Sequence, residues 1–366
     1  MEILHTLFFF VIILSIIVFI HEFGHYIVAK WCGVKVEEFA IGFGKEIGGF
    51  NDRSGTRWKF CMLPLGGYVK MFGDATEAST TDAEAMDEMS EEDKALTFHH
   101  KPLWKKSLIV FAGPAANFIL TIGIFTYFTF TNGLTTTAPV IGEILPNTPA
   151  AESGLQAGDR VLTVDGEEVN YFREIPLKIA INIGEPVALR VEREGEIIAF
   201  DITPRVTEQE DALGNTIERP LIGFKSQQIK FEDIGLMSAL GESTRQTYDI
   251  TVLSLQYIGQ IITGQRNAKE LKGPVGIAQL SGQAAERGFF TVLWFIAMIS
   301  ANLGMVNLLP IPPLDGGHLM FYAIEGASRR TVAERFKEYS FRAGFALLMM
   351  LMAFTVYNDI RNIIVS

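Results

Sequence analysis

Residues 3–20 run for 18 positions without a charged side chain, and the apolar character resumes in Tyr26-Ile27-Val28-Ala29. A stretch of this length is at ease in one solvent, the hydrocarbon of a bilayer, where a helix needs about 20 apolar residues to cross. At its end stand His21-Glu22-Phe23-Gly24-His25. Ionisable groups at membrane depth cost roughly 2.5 kcal/mol or more each, so their presence points to a functional site. On a helix, HExxH sets both imidazoles on one face, one turn apart, where they can bind zinc, with Glu22 beside the metal as general base. The predicted chemistry is hydrolytic. A cleaved signal peptide is the other explanation for such a run, but Met1-Glu2 offers no Lys or Arg, and HEFGH stands where a small-residue cleavage site belongs.

Three further stretches have the same character. Residues 107–130 carry no charge over 24 positions and contain Gly113-Pro114 and Asn117. A Pro there opens a kink and an Asn needs a partner, and ordinary bundle packing would account for both. Residues 289–309 form a third span of 21 positions, and residues 343–357 a fourth and shortest one. Residues 250–262 are also apolar, but Gln256 and Gln260 interrupt them and they are too short to cross, which predicts an interfacial helix. A hydrophobic content of 48% and a mean hydropathy of +0.24 agree with a membrane class. The net charge of −11, with no basic patch, argues against nucleic-acid binding. With Cys32 and Cys61 as the only two cysteines, neither a disulfide scaffold nor a cysteine-rich zinc site is available, so any metal must be held by His and carboxylate.

Charge orients the spans. Residues 30–106 hold 11 Lys and Arg, and five basic residues, Arg329, Arg330, Arg335, Lys337 and Arg342, precede the fourth span. By the positive-inside rule both segments are cytoplasmic. The first span then ends inside at HEFGH and the third ends inside at Asp315, beyond Pro310-Ile311-Pro312-Pro313-Leu314. Asp315 becomes the natural third ligand beside His21 and His25, leaving a fourth position for water. Asp359 falls on the outer side, and His318 is the alternative third ligand. Had residues 250–262 crossed the membrane, Asp315 would have emerged on the wrong face.

The connections carry less chemistry. Residues 74–93 contain nine acids and no Lys or Arg, which reads as a solvated stretch. Residues 56–72, with Pro64 and Gly66-Gly67 between two β-like runs, look like a hairpin dipping toward the membrane, either to pack or to offer an edge to an extended peptide. Residues 139–205 alternate apolar and polar side chains between turn signals at Pro146-Asn147, Gly158-Asp159, Asp165-Gly166 and Glu194-Gly195, predicting a small β-rich domain. Within it, residues 150–166 (AAESGLQAGDRVLTVDG) resemble the PDZ family, which implies a peptide-binding module or a size filter. Residues 206–226 predict an added hairpin, and Gly273-Pro274-Val275-Gly276-Ile277 an ordered turn.

HEFGH on the first span, NLLPIPPLDGG after the third, and the runs LGGYVKM and GPAANF together resemble the site-2 protease family of intramembrane zinc metalloproteases, closest to its regulator-of-sigma-E protease branch. The resemblance covers nearly the whole chain. It implies His21, His25 and Asp315 as ligands of Zn2+, Glu22 as catalytic base, and Asn307 in substrate handling. It also implies that Leu65, Gly66, Gly67, Tyr68 and Val69 belong to a membrane-entering β-loop that pairs with unwound substrate. Better-known members of this branch carry two tandem PDZ domains, and one is found here.

The expected fold class is a mostly α-helical polytopic membrane protein with four transmembrane helices, a membrane-associated β-hairpin and an inserted β-rich PDZ domain. Its parts are residues 1–130 (HExxH helix, β-loop and second span), 136–226 (PDZ domain and hairpin), 227–288 (interfacial helix and loop) and 289–366 (membrane part with the third ligand). The expected setting is the bacterial inner membrane, with both termini and the PDZ domain extracytoplasmic and the site near the cytoplasmic side. Expected partners are membrane lipid and single-span membrane proteins, such as anti-sigma factors or remnant signal peptides. A non-catalytic zinc-binding scaffold and a metal-ion transporter are the competing classes.

Overall fold

The computed structural model describes residues 2–73, 89–180, 182, 184–210, 216–227 and 230–365. The chain forms two compact units, one from Met1–Ile124 with Leu271–Ser366 and one from Phe125–Glu270. Among the described residues, four helices are long and apolar enough to cross a membrane: Glu2–Trp31, Leu103–Asn132, Phe289–Asn307 and Glu334–Ile364. The first, second and fourth sequence-predicted spans lie in these helices, and the third, expected to reach residue 309, ends at Asn307.

In the first unit, helix α1 (Glu2–Trp31) buries Ile13, Ile17, His21 and Gly24. The spacing of three and four makes these one face of the helix, so the same periodicity that packs the isoleucines turns His21 inward. Ile3, Leu4, Phe8 and Ile12 remain exposed, as a lipid-facing surface would.

Strands β1 (Val36–Asn51) and β2 (Arg57–Met71) follow as an antiparallel pair. Here the expectation is corrected: residues 56–72 are one bent strand rather than a self-contained hairpin, and the hairpin partner is β1. Pairing is double, since Phe39 faces both Val69 and Trp58, while residues 46–51 turn back along 57–61. Pro64 and the Gly66-Gly67 pair divide β2 into two arms that flank β1, so the breakers make a bend where a turn was expected. Phe43, Ile47, Phe50, Phe60, Met62 and Leu63 on this sheet are exposed. The acidic stretch lies largely outside the described residues (74–88). Its end forms the short helix α2 (Glu91–Lys94), capped by Ser90, whose hydroxyl accepts from the Asp93 amide at 3.1 Å. Helix α3 (Leu103–Asn132) contains Pro114 within it.

The second unit is the β-rich one. Its elements are β3 (Leu134–Thr135), β4 (Ile141–Ile144), α4 (Pro149–Ser153), β5 (Arg160–Val164), β6 (Glu167–Glu168), α5 (Glu174–Ile179), β7 (Val187–Arg193), β8 (Glu196–Ile202), β9 (Arg205–Glu210), β10 (Thr216–Leu221), β11 (Phe224–Ser226), β12 (Phe231–Glu232) and α6 (Leu236–Ile262). A four-stranded antiparallel sheet runs β6-β5-β7-β8, and β4 pairs with β11, β9 with β10 and β3 with β12. Along β7, Val187, Leu189 and Val191 are buried while Ala188, Arg190 and Glu192 are not, the period of two that a half-buried strand requires. Their core partners include Ile141, Val161, Ile175 and Ile202. Asp165-Gly166 and Glu194-Gly195 have positive φ, as tight two-residue hairpins demand. Buried Asp159 takes a two-pronged ion pair from Arg193, at 2.6 and 2.7 Å, and a third hydrogen bond from the Gln156 amide at 2.9 Å. Helix α6 is twice the expected length. Its first half is fixed by ion pairs of Glu242 with Arg173 and Arg245 with Glu174, and hydropathy registers only the apolar second half.

The first unit resumes with α7 (Pro274–Glu286), α8 (Phe289–Asn307), α9 (Asp315–Ser328) and α10 (Glu334–Val365). The GPVGI segment is therefore a helix start with Pro274 in its first turn. Its cap comes from far away: buried Asp359 on α10 accepts from the amides of Gly273 and Gly276 at 3.1 and 2.8 Å. Helix α7 packs along α1. Helix α10 is 32 residues long, so the fourth span is not the short one expected; its flanks are charged helical turns, with Arg342 donating to Glu338 at 2.6 Å.

Candidate metal centre

Two turns of α1 and the start of α9 build the site. His21 and His25, four residues apart, stack edge to face with ring centroids 4.8 Å apart and Nε2 atoms 3.3 Å apart. Past the end of α8, the segment through Pro310, Pro312 and Pro313 cannot continue the helix, and Asp315 opens α9. Its Oδ2 lies 3.3 Å from His21 Nε2 and 3.5 Å from His25 Nε2. Among the described residues, these three are the one group of His, Cys, Asp and Glu able to hold a metal, with ligand atoms within 4.8 Å of one another.

The donor set fits a divalent cation. Asp315 Oδ2 is buried and has no hydrogen-bond partner. Three electron-pair donors turned toward one another in a buried place repel unless a cation lies among them. Two imidazoles and a carboxylate are also the mixed nitrogen and oxygen set that zinc accepts at catalytic sites.

Helix α3 closes the back of the site. His25 donates its Nδ1–H to the Ile109 carbonyl at 2.9 Å, which fixes the tautomer and leaves the Nε2 electron pair for a ligand. One turn on, Gly113 faces both rings: a Cβ there would lie 2.2 Å from His25 Nε2 and 2.9 Å from His21 Cε1. Another turn on, wholly buried Asn117 places its side-chain amide 3.3 Å from His21 Nδ1. Tyr26 donates to Asp52 at 2.6 Å, tying the β1–β2 turn to the residue after His25.

Glu22 is half-buried, between the two histidines in sequence and close to β2 in space, for a Cβ on Gly67 would lie 3.2 Å from Glu22 Cγ. Gly66 lies against the Phe43 ring. Tyr68 is buried and donates to Glu38 at 3.0 Å, and Val69 packs in the core with Phe39 and Val36. The side chain of Leu65 lies outside the described residues. Asn307, the last residue of α8, has Nδ2 3.5 Å from His21 Nε2. His318 is not part of the ligand group, and its ring lies 4.8 Å from that of Phe341. Ile109, Gly113 and Asn117 were not assigned to the site from sequence. The available signal was their spacing of four in a charge-free span, with a polar amide and a missing side chain on one face.

The chain matches peptidase family M50 over residues 9–351. It is 40% identical over 355 residues to a Rhizobium meliloti protein named a putative zinc metalloprotease, covering 96% of this chain and 95% of the relative. An Agrobacterium fabrum protein of the same description is 41% identical over 359 residues, covering 97% and 95%. Metalloprotease MmpA of Caulobacter vibrioides is 35% identical over 373 residues, covering 96% and 94%. A match of this extent takes in the HEFGH helix, the β1–β2 sheet, the β-rich unit and Asp315, and the chain belongs to peptidase family M50, the site-2 protease family.

Proposed function

We propose that this protein is an intramembrane zinc endopeptidase that hydrolyses peptide bonds within or near the transmembrane segments of single-span membrane proteins. The observation that carries the proposal is the convergence of His21, His25 and orphaned Asp315 Oδ2 at the end of an apolar helix. Relatives named zinc metalloproteases support zinc as the ion. Bound zinc would polarise the scissile carbonyl and bring the pKa of a water to about 7. Glu22 takes a proton from the attacking water and delivers it to the leaving nitrogen. Asn307, beside His21, steadies the substrate carbonyl.

A transmembrane helix hides its backbone hydrogen bonds, so the substrate must be extended before attack. Residues 65–69 of β2 hold the extended form by strand pairing. The nearness of Gly67 to Glu22 supports this placement. The exposed apolar side chains of the sheet, Ile47, Met62 and Leu63 among them, suit contact with lipid. Residues 136–226 form a single PDZ domain that binds a peptide or filters substrates by size; the antiparallel sheet and short helices of this region support the assignment. The domain limits at 130, 226 and 288, the inner-membrane location, the outward-facing termini and the substrate class of anti-sigma factors or remnant signal peptides belong to the same proposal. The 11 Lys and Arg of residues 30–106 support a site near the cytoplasmic face.

The test is Glu22→Gln in the full chain, assayed on a model membrane peptide alongside zinc content. Zinc stays at the wild-type level while cleavage falls by roughly 100-fold or more, the usual contribution of a general base. Cleavage equal to wild type refutes the assignment.

A further inference from the structure

We infer that Asn117 is a positioning residue for the metal centre: its amide oxygen accepts the Nδ1–H of His21 and thereby holds the Nε2 electron pair toward His25 and Asp315. This rests on the zinc site proposed above and adds the element that orients it.

A histidine binds metal through one ring nitrogen only if the other carries the proton, and that N–H needs an acceptor. For His25 the acceptor is the Ile109 carbonyl. For His21 the polar group at Nδ1 is the wholly buried Asn117 amide, placed with its Nδ2 3.3 Å from the ring nitrogen. An amide offers two orientations of the same shape. With its nitrogen toward the ring, Nδ1 must be the acceptor and Nε2 carries the proton, a state in which Nε2 cannot ligate. In either orientation the other atom of the amide faces a buried position where no partner is found, so the choice between them falls to the ring. With its oxygen toward the ring, Oδ1 gains the Nδ1–H and Nε2 is left as an electron pair facing Asp315 Oδ2 at 3.3 Å. Only the second arrangement is compatible with a metal held by His21.

The rest of α3 supports a positioning role. Ile109, Gly113 and Asn117 are spaced by four and so lie on one stripe of the helix. Along that stripe stand an acceptor for His25, a gap that admits both rings, and an acceptor for His21. The stripe is itself held to α8, because Ser300 donates to the Asn117 carbonyl at 3.0 Å and the Thr121 hydroxyl lies 3.0 Å from the Asn117 and Ala297 carbonyls. One helix face thus fixes both imidazoles, and it is registered against the helix that leads to Asp315.

The experiment uses the full chain purified in detergent and stripped of metal, with Asn117→Leu, Asn117→Asp and His21→Ala. Zinc affinity is measured by competition with a chelator series, cobalt(II) absorption reports ligand geometry, and thermal melting of the metal-free protein reports packing. Asn117→Leu, similar in volume, is expected to melt with wild type while losing roughly 10- to 100-fold in zinc affinity, the usual cost of removing such a partner. Asn117→Asp, which can still accept from Nδ1–H, retains wild-type affinity and the wild-type cobalt spectrum. Wild-type affinity in Asn117→Leu overturns the inference, as does Asn117→Asp binding no better than His21→Ala. If Asn117→Leu does not fold, the affinity and cobalt spectrum of Asn117→Asp decide by themselves. Zinc binding that is indifferent to His21→Ala overturns the zinc site itself, whereas dependence on His21 without dependence on Asn117 overturns only the positioning role.

Discussion

Adding one methyl group at Gly113 measures how closely α3 must approach the two histidines. The new Cβ would sit 2.2 Å from His25 Nε2, about 1.2 Å short of the ordinary 3.4 Å contact. The ring has little room to retreat, because its Nδ1–H is bonded to Ile109 on the same helix. The strain must pass either into the α1–α3 crossing or into the histidine orientation. Overpacking of this kind costs about 1–3 kcal/mol, while Ala for Gly returns close to 1 kcal/mol of helix propensity, so the fold should survive. The metal site should not: ligand distances are held to within about 0.2 Å, several times less than the required shift. A misplacement of about 1 Å also costs on the order of 100-fold in rate. In Gly113→Ala we therefore expect zinc well below one per chain by elemental analysis, cleavage of a membrane peptide reduced by about 100-fold or more, and a melting temperature of the metal-free protein close to wild type. Full zinc occupancy with near wild-type cleavage would show that the crossing relaxes freely and would refute the reasoning.

Gly67→Ala separates the sheet from the metal. Its Cβ would meet the Ala40 carbonyl at 2.7 Å and Val18 Cγ1 at 2.9 Å, so cleavage should fall by about tenfold or more at unchanged zinc content, consistent with displacement of groups near the reacting centre; loss of zinc would show that the sheet also shapes the ligand site. Asp359→Ala leaves two buried amides at the start of α7 without their acceptor and should destabilise the protein by about 1–3 kcal/mol. An unchanged melting temperature in detergent would count against the cap. Asp159 supplies a pH test. Burial pushes its carboxyl up, but hydrogen bonds from Arg193 and the Gln156 amide more than offset this and hold it below the usual carboxylate range. A group whose pKa is lowered on folding contributes fully above its unfolded value and loses that contribution as pH falls through the folded one. Hydrogen exchange in β5 and β7, corrected for intrinsic rates, should therefore accelerate at acid pH in wild type, and Asp159→Asn should show fast exchange already at neutral pH. Identical profiles would remove the ion pair from the account.

What the sequence disclosed depended on how local the physics is. The four spans were legible because hydrocarbon excludes charge, so charge-free runs of 18, 24 and 21 residues have no other comfortable setting. The His21–His25 pair was legible because a spacing of four on a helix is a contact. Asp315 was reached by counting membrane crossings, which carry long-range information that soluble segments lack. The β1–β2 pairing is not legible in the sequence, for the opposite reason. Pro64 and Gly66-Gly67 signal a change of direction, and only the tertiary partner decides between a turn and a bend. Helices α6 and α10 were cut short because hydropathy stops at the first ion-paired turn, as at Glu242 and Glu338. Asn117 reads in the sequence as a polar group needing a partner, but its partner is 96 positions away in the chain, and no local pattern names it.

The distance along the chain between His25 and Asp315, about 290 residues, also orders events in time. During synthesis the HEFGH helix enters the membrane first, and the third electron-pair donor is made only near the end. At roughly 5–20 residues per second, the two halves of the centre are separated by about 15 to 60 s of translation. Throughout that interval the growing chain holds a histidine pair without its carboxylate, and any chain released early stays in that state. With the third proposed ligand made so late, a chain released before residue 315 lacks the complete donor set.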